Sequence, residues 1–147
     1  MLLPKVSELE KAFIDSWCRE TSSLPKSWRR ENNAWGQCAV TALVLQDYFG
    51  GDLLNCEVTL GEGFYNYVKR IDSDLKNPVS HYLNNVEGKI IDLTRKQFPL
   101  METIISRGVF KPKDFESTRQ YTLSSEKTVE RYEILKRKVE KFLTGRK

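Results

Sequence analysis

The chain has 147 residues, of which 39% are hydrophobic and 30% charged; this suits one packed domain over residues 1–147 and excludes global disorder. The net charge is only +4, its excess lies mainly between Lys127 and Lys147, and no basic-aromatic motif accompanies it, so no nucleic-acid partner is expected. No run of about 20 apolar residues could span a membrane, and Met1–Leu9 lacks a signal peptide's apolar core and cleavage site, so a cytoplasmic protein without a membrane partner is expected.

Val6, Leu9, Phe13, Ile14 and Trp17 recur at helical spacing and predict a helix over 6–20, with Ser7 near its start as a cap. Thr21–Asn33, rich in serine, proline and asparagine, reads as an irregular loop. Gln37–Phe49 is densely apolar, follows Gly36 and stops at Gly50-Gly51, as a buried helix should. The period then changes. Leu53–Leu60 reads as a strand, Gly61-Glu62-Gly63 as a turn, and Phe64–Ile71, with aromatic and polar residues alternating, as a second strand. After a loop over Asp72–Pro78, Val79–Val86 and Lys89–Leu93 form a predicted hairpin around Glu87-Gly88. Lys96–Ser106 reads as a short helix interrupted by Pro99, and 107–123 is ambiguous. Val129, Tyr132, Leu135, Val139 and Phe142 mark an amphipathic helix over Ser125–Leu143, either docked on the sheet or free for a partner. Helices set apart from an antiparallel sheet give the class α+β.

The chain holds three cysteines, Cys18, Cys38 and Cys56, and a single histidine, His81. The cysteines are odd in number and without C-x-x-C spacing, so reduced thiols are expected and a four-ligand structural zinc site is not. Cys38 opens the buried helix, where unpaired N–H groups and the helix dipole favour a thiolate, the nucleophilic form. The competing reading is a small buried apolar residue. His81 is the one imidazole available as a base. Asp92 follows eleven residues later across the Glu87-Gly88 turn, on the neighbouring strand. An aspartate in the apolar run Ile90–Leu93 is costly to bury alone, and the imidazole N–H is the obvious partner; a strand-end cap beside Thr94 is the alternative. Together these residues spell a thiol triad in which Cys38 attacks, His81 takes its proton and Asp92 orients the ring. Gln46 and Asp47 lie over two turns away, about 12 Å along the helix, and read as structural. Cys18 and Cys56 read as core residues.

A helix-borne cysteine followed by a strand histidine and a strand aspartate resembles the papain-like and transglutaminase-like superfamily. The strings Trp35-Gly36-Gln37-Cys38-Ala39-Val40-Thr41-Ala42-Leu43, Gln46-Asp47-Tyr48-Phe49-Gly50-Gly51, Ser80-His81-Tyr82 and Ile91-Asp92-Leu93-Thr94 are closer still to the YunG-like family of small bacterial proteins. The resemblance implies a papain/transglutaminase-like α+β domain with Cys38 as nucleophile, His81 as base and Asp92 as orienter. Papain-like enzymes carry an oxyanion-binding glutamine several residues ahead of the cysteine, whereas Gln37 is adjacent to Cys38. The backbone N–H of Cys38 is therefore the expected oxyanion donor, with Gln37 a helix cap or substrate contact, and Trp35 either a cleft wall or core. The expected activity is hydrolysis or acyl transfer on an amide, ester or thioester of a peptide, protein or small molecule, with no metal or organic cofactor implied. Loops 21–33 and 107–123 are the expected sources of specificity. The alternatives are a binding module on an inactive triad and an interaction protein using its basic C-terminal helix. Oligomeric state is left open.

Overall fold

The computed structural model describes residues 3–99, 104–105 and 114–145. Helix α1 spans Val6–Ser16 and buries Leu9, Ala12, Phe13 and Ser16, one stripe at helical spacing. Its cap is Lys5, whose backbone N–H donates to the Glu8 carboxylate at 2.9 Å; Ser7 lies inside the first turn. The helix ends four residues before the sequence expectation because Trp17 turns out of it, and the Trp17 indole N–H donates to Thr41 at 2.9 Å. A single 3-10 turn, Arg19–Thr21, follows.

Helix α2, Cys38–Phe49, is buried almost all round and stops where Gly50 takes φ 72°. Strand β1, Asp52–Thr59, lies inside a four-stranded antiparallel sheet of order β3-β2-β1-β4, with β2 at Val79–Val86, β3 at Lys89–Ile91 and β4 at Ile104–Ile105. The β2–β3 turn has φ 53° at Glu87 and 84° at Gly88, the double positive φ that matches strand twist in a two-residue hairpin. The Phe64–Ile71 strand expectation is corrected. That segment belongs to helix α3, Glu62–Ile71. Its aromatic density mimics alternation, but Tyr67 is exposed while Phe64, Tyr65 and Val68 pack inward, which is a helical stripe. The expected helix over 96–106 is likewise corrected to a 3-10 turn at Arg95–Gln97 and strand β4; residues 100–103 and 106 lie outside the described residues. Of the ambiguous stretch 107–123, residues 107–113 also lie outside them, and Thr118–Thr122 form helix α4.

Two apolar clusters hold the layers together. In one, Leu9 and Phe13 of α1 meet Leu43 and Leu45 of α2 and Leu135 and Val139 of the last helix, α5, Glu126–Thr144. Each such side chain, taken fully out of water, contributes about 1.5–3 kcal/mol. Thus α5 docks mainly on α1 and α2 rather than on the sheet, and its Tyr132, Leu135 and Val139 stripe is already occupied. The other cluster joins Trp35, Val58, Leu60, Val68, Leu75 and Phe98. Val58 and Leu53 stand on opposite faces of β1 by strand alternation, so helices cover one face and α3 with the Trp35–Phe98 cluster the other. The fold is a mixed α+β one, and among the described residues no helix is long and apolar enough to cross a membrane.

Candidate functional site

The site forms where β2 loses a neighbour. Strand β3 pairs only with Asn84–Val86, so Val79–Leu83 is uncovered by β3 on that side. The start of α2 and the turn after β3 gather at this uncovered stretch. The Cys38 thiol lies 3.9 Å from the Ser80 carbonyl oxygen, the outer limit for a sulfur hydrogen bond. His81 is fully buried, and its Nε2 lies 2.8 Å from Oδ2 of Asp92, whose side chain is 15% exposed. The hairpin register explains the pairing. Asn84 opposes Ile91, so, continued outward, His81 would face Thr94, and Asp92 is its diagonal neighbour two residues away on the same face.

The remaining ring nitrogen, Nδ1, is buried and has no hydrogen-bond partner among the described residues. Phe98 packs its ring edge-to-face on the imidazole at 5.1 Å between centroids. Burial disfavours the charged ring, but the bond to Asp92 and the adjacent Cys38 thiol outweigh it, and the His81 pKa rises to about 9. The imidazolium is therefore the form held at neutral pH. A second thiol stands close by: Cys56 is the cross-strand partner of His81. Its pKa is pushed up to about 11 by burial and then by the charges of Asp92 and Cys38, so it is kept as an inert thiol. Cys18 is half-buried and lines a surface cleft with Lys11, Trp28 and Phe142.

The loop before α2 is tied to its start. Ser22 Oγ donates to the Trp35 carbonyl at 2.7 Å and Ser23 N–H to the Gly36 carbonyl at 2.9 Å. Gly36 has φ 75°, and a Cβ there would sit 2.9 Å from the Leu24 backbone nitrogen, so the close approach requires glycine. Gln37 is fully buried, and its Nε2 donates to the Cys18 carbonyl at 2.9 Å, a tie back to the end of α1. It makes no side-chain cap on α2. Trp35 is 2% exposed, packs edge-on against Phe64 and Phe98, and gives its indole N–H to Ser27 at 2.8 Å. These contacts make Trp35 a core residue rather than an open wall.

Sequence reasoning passed over Gln97. Its Oε1 accepts from the Gly36 N–H at 3.0 Å, and its backbone carbonyl accepts from Asn32 Nδ2 at 3.1 Å. No spacing rule announces it, because it arrives from the turn after β3. Gln46 and Asp47, at the far end of α2, form a separate cluster: Arg119 gives Nη1 to Gln46 and Nη2 to Asp47, each at 2.9 Å, and Tyr132 donates its hydroxyl to Asp47. Among the described residues no group of three or more histidine, cysteine, aspartate or glutamate side chains is placed to hold a metal ion.

A sequence-family model described as YunG protein matches residues 5–144. The chain is also 32% identical over 99 residues to a Bacillus subtilis (strain 168) protein named Uncharacterized protein YunG, a match covering 63% of this chain and 84% of that protein. No solved structure matches the chain. With residues 5–144, nearly its whole length, inside the family model, the chain belongs to the YunG family.

Proposed function

We propose that this chain is a cysteine-dependent hydrolase or acyltransferase, acting on an amide, ester or thioester through a Cys38-His81-Asp92 triad on a papain/transglutaminase-like domain. One observation carries the reading: a fully buried imidazole with Nε2 bonded to a carboxylate, Nδ1 unpartnered, and a thiol beside it supporting its charge. The reacting pair is a Cys38 thiolate beside the His81 imidazolium, the ring form already held at neutral pH. The sulfur attacks the substrate carbonyl carbon, a C–S bond forms, and the carbonyl electron pair moves to oxygen. As that pair returns, the bond to the leaving group breaks and the imidazolium gives it the proton. The resulting thioester passes its acyl group to water, an alcohol or an amine, with His81 removing the acceptor's proton. The site would be cytoplasmic and its substrate a peptide, protein or small acyl compound.

The same arrangement supports a second reading, a binding module that does no chemistry, because Cys38 is only 8% exposed. One experiment separates them. The three cysteines are reacted with iodoacetamide and, separately, with 4-nitrophenyl acetate, and modified sites are read by mass spectrometry. The enzyme reading expects Cys38 to be alkylated and acetylated well ahead of Cys18 and Cys56, with Cys38→Ala folding normally and releasing no nitrophenol burst. A Cys38 no faster than Cys18 with both reagents would leave the binding module standing.

A further inference from the structure

The polar groups around Cys38 contain a donor with nothing to donate to. Gln97 is 3% exposed, and its Nε2 is buried without a hydrogen-bond partner among the described residues. Its orientation is not arbitrary. Oε1 must face the Gly36 N–H, 3.0 Å away, since the reversed amide would set two donors against each other. The carboxamide is thereby clamped at the entry to α2, two residues before the nucleophile, with its NH2 group free. The Cys38 N–H, first in the helix, likewise has no intrahelical acceptor. A buried unpaired amide donor costs about 1–3 kcal/mol, so a fold that orients one so firmly and leaves it open points to an acceptor that arrives later.

We infer that Gln97 Nε2 and the Cys38 backbone N–H together form the oxyanion hole, receiving the negative oxygen of the tetrahedral intermediate formed at Cys38. This assignment rests on the acyl-transfer reading above. Gln37, although adjacent to Cys38, already spends its amide on Cys18. Gln97 enters from a different part of the chain and brings its neighbour Phe98, which packs on His81. One turn, Arg95–Gln97, thus positions both the oxyanion donor and the base. The substrate class follows: the reacting group must be a carbonyl whose oxygen becomes anionic, with that oxygen directed toward the Gln97 side of the α2 entry.

The variant that tests this is Gln97→Glu, which keeps an acceptor for the Gly36 N–H while replacing the free donor by a carboxylate oxygen. Two reactions of Cys38 are compared in wild type and variant. Alkylation by iodoacetamide displaces iodide and creates no oxyanion; acetylation by 4-nitrophenyl acetate does create one. Loss of one such donor lowers a rate by about 10²–10³-fold. The expected result is that acetylation of Cys38 falls by that factor while alkylation stays within a few-fold of wild type, and that Gln97→Asn does not restore acetylation because its shorter arm misplaces the donor. Equal acetylation in wild type and Gln97→Glu would overturn the assignment and leave the acyl-transfer reading intact. Parallel loss of both reactions would overturn it too, showing Gln97 only to hold Gly36 in place. A wild-type Cys38 inert to both reagents would overturn the acyl-transfer reading, and this assignment with it.

Discussion

The two ends of helix α2 both carry polar clusters, and they are built oppositely. At the C-terminal end, Asp47 is surrounded by Arg119, the Tyr132 hydroxyl and Lys136, and Gln46 takes the other arm of Arg119. Donors there meet acceptors, and the cluster pins α4 and α5 to α2. At the N-terminal end the accounts stay open. Among the described residues eight buried side-chain polar atoms lack a partner, and six of them lie on Gln37, His81 or the Asp92–Gln97 segment. Native folds pair nearly all such atoms, so the concentration of unpaired ones at this end of the helix coincides with the proposed site.

The contrast can be broken most forcefully at His81. His81→Ala should lower Cys38 acetylation by about 10²–10⁴-fold, the usual contribution of a positioned acid–base group, in a protein whose circular dichroism is unchanged; a loss under tenfold would dissolve the distinction between the ends. Asp92→Asn comes next and is read as stability against pH. Because the folded His81 pKa lies near 9 and its ordinary value is 6.5, the raised pKa stabilises the fold fully below pH 6.5 and ceases to do so as pH climbs through about 9. Urea midpoints should therefore show wild type ahead of Asp92→Asn by about 1–3 kcal/mol in mild acid, with the lead shrinking across that window. A lead independent of pH would mean the carboxylate acts only by shape. The smallest effect belongs to the other end. Arg119→Lys cannot reach Gln46 and Asp47 together and should cost about 0.5–1.5 kcal/mol by thermal or urea unfolding, while the folded protein acetylates Cys38 at the wild-type rate. If acetylation fell as well, the two ends of the helix would be coupled.

Local chemistry made much of this readable beforehand. The cysteine at a helix start, the glycine stop at Gly50 and the Glu87-Gly88 hairpin all depend on neighbours in sequence, and the structure forms the helix and hairpin where they were expected. Asp92 in an apolar run demanded a partner, and His81 is within hydrogen-bond reach of it. What escaped was tertiary. Phe64, Tyr65 and Tyr67 suggested a strand because aromatic residues favour both the sheet surface and the core, and only packing of Phe64, Tyr65 and Val68 against Trp35 and its cluster decides for a helix. The stripe on α5 was legible, but not that its partners are helices α1 and α2. Gln97 offered no signal, since its importance lies in a 3.0 Å contact with a residue 61 positions earlier.

The hairpin has a kinetic consequence of its own. His81 and Asp92 are 11 residues apart, whereas Cys38 must come from 42 residues before Ser80. Closing the longer loop costs roughly 1 kcal/mol more chain entropy, and isolated hairpins close in about 1–10 μs. The imidazole–carboxylate contact is thus local, available to a chain whose helices have yet to dock, while the thiol joins only when α2 settles on the sheet. In a refolding time course the His81–Asp92 contact would report hairpin closure and the reactivity of Cys38 would report helix docking, two observables for a local and a long-range step of assembly.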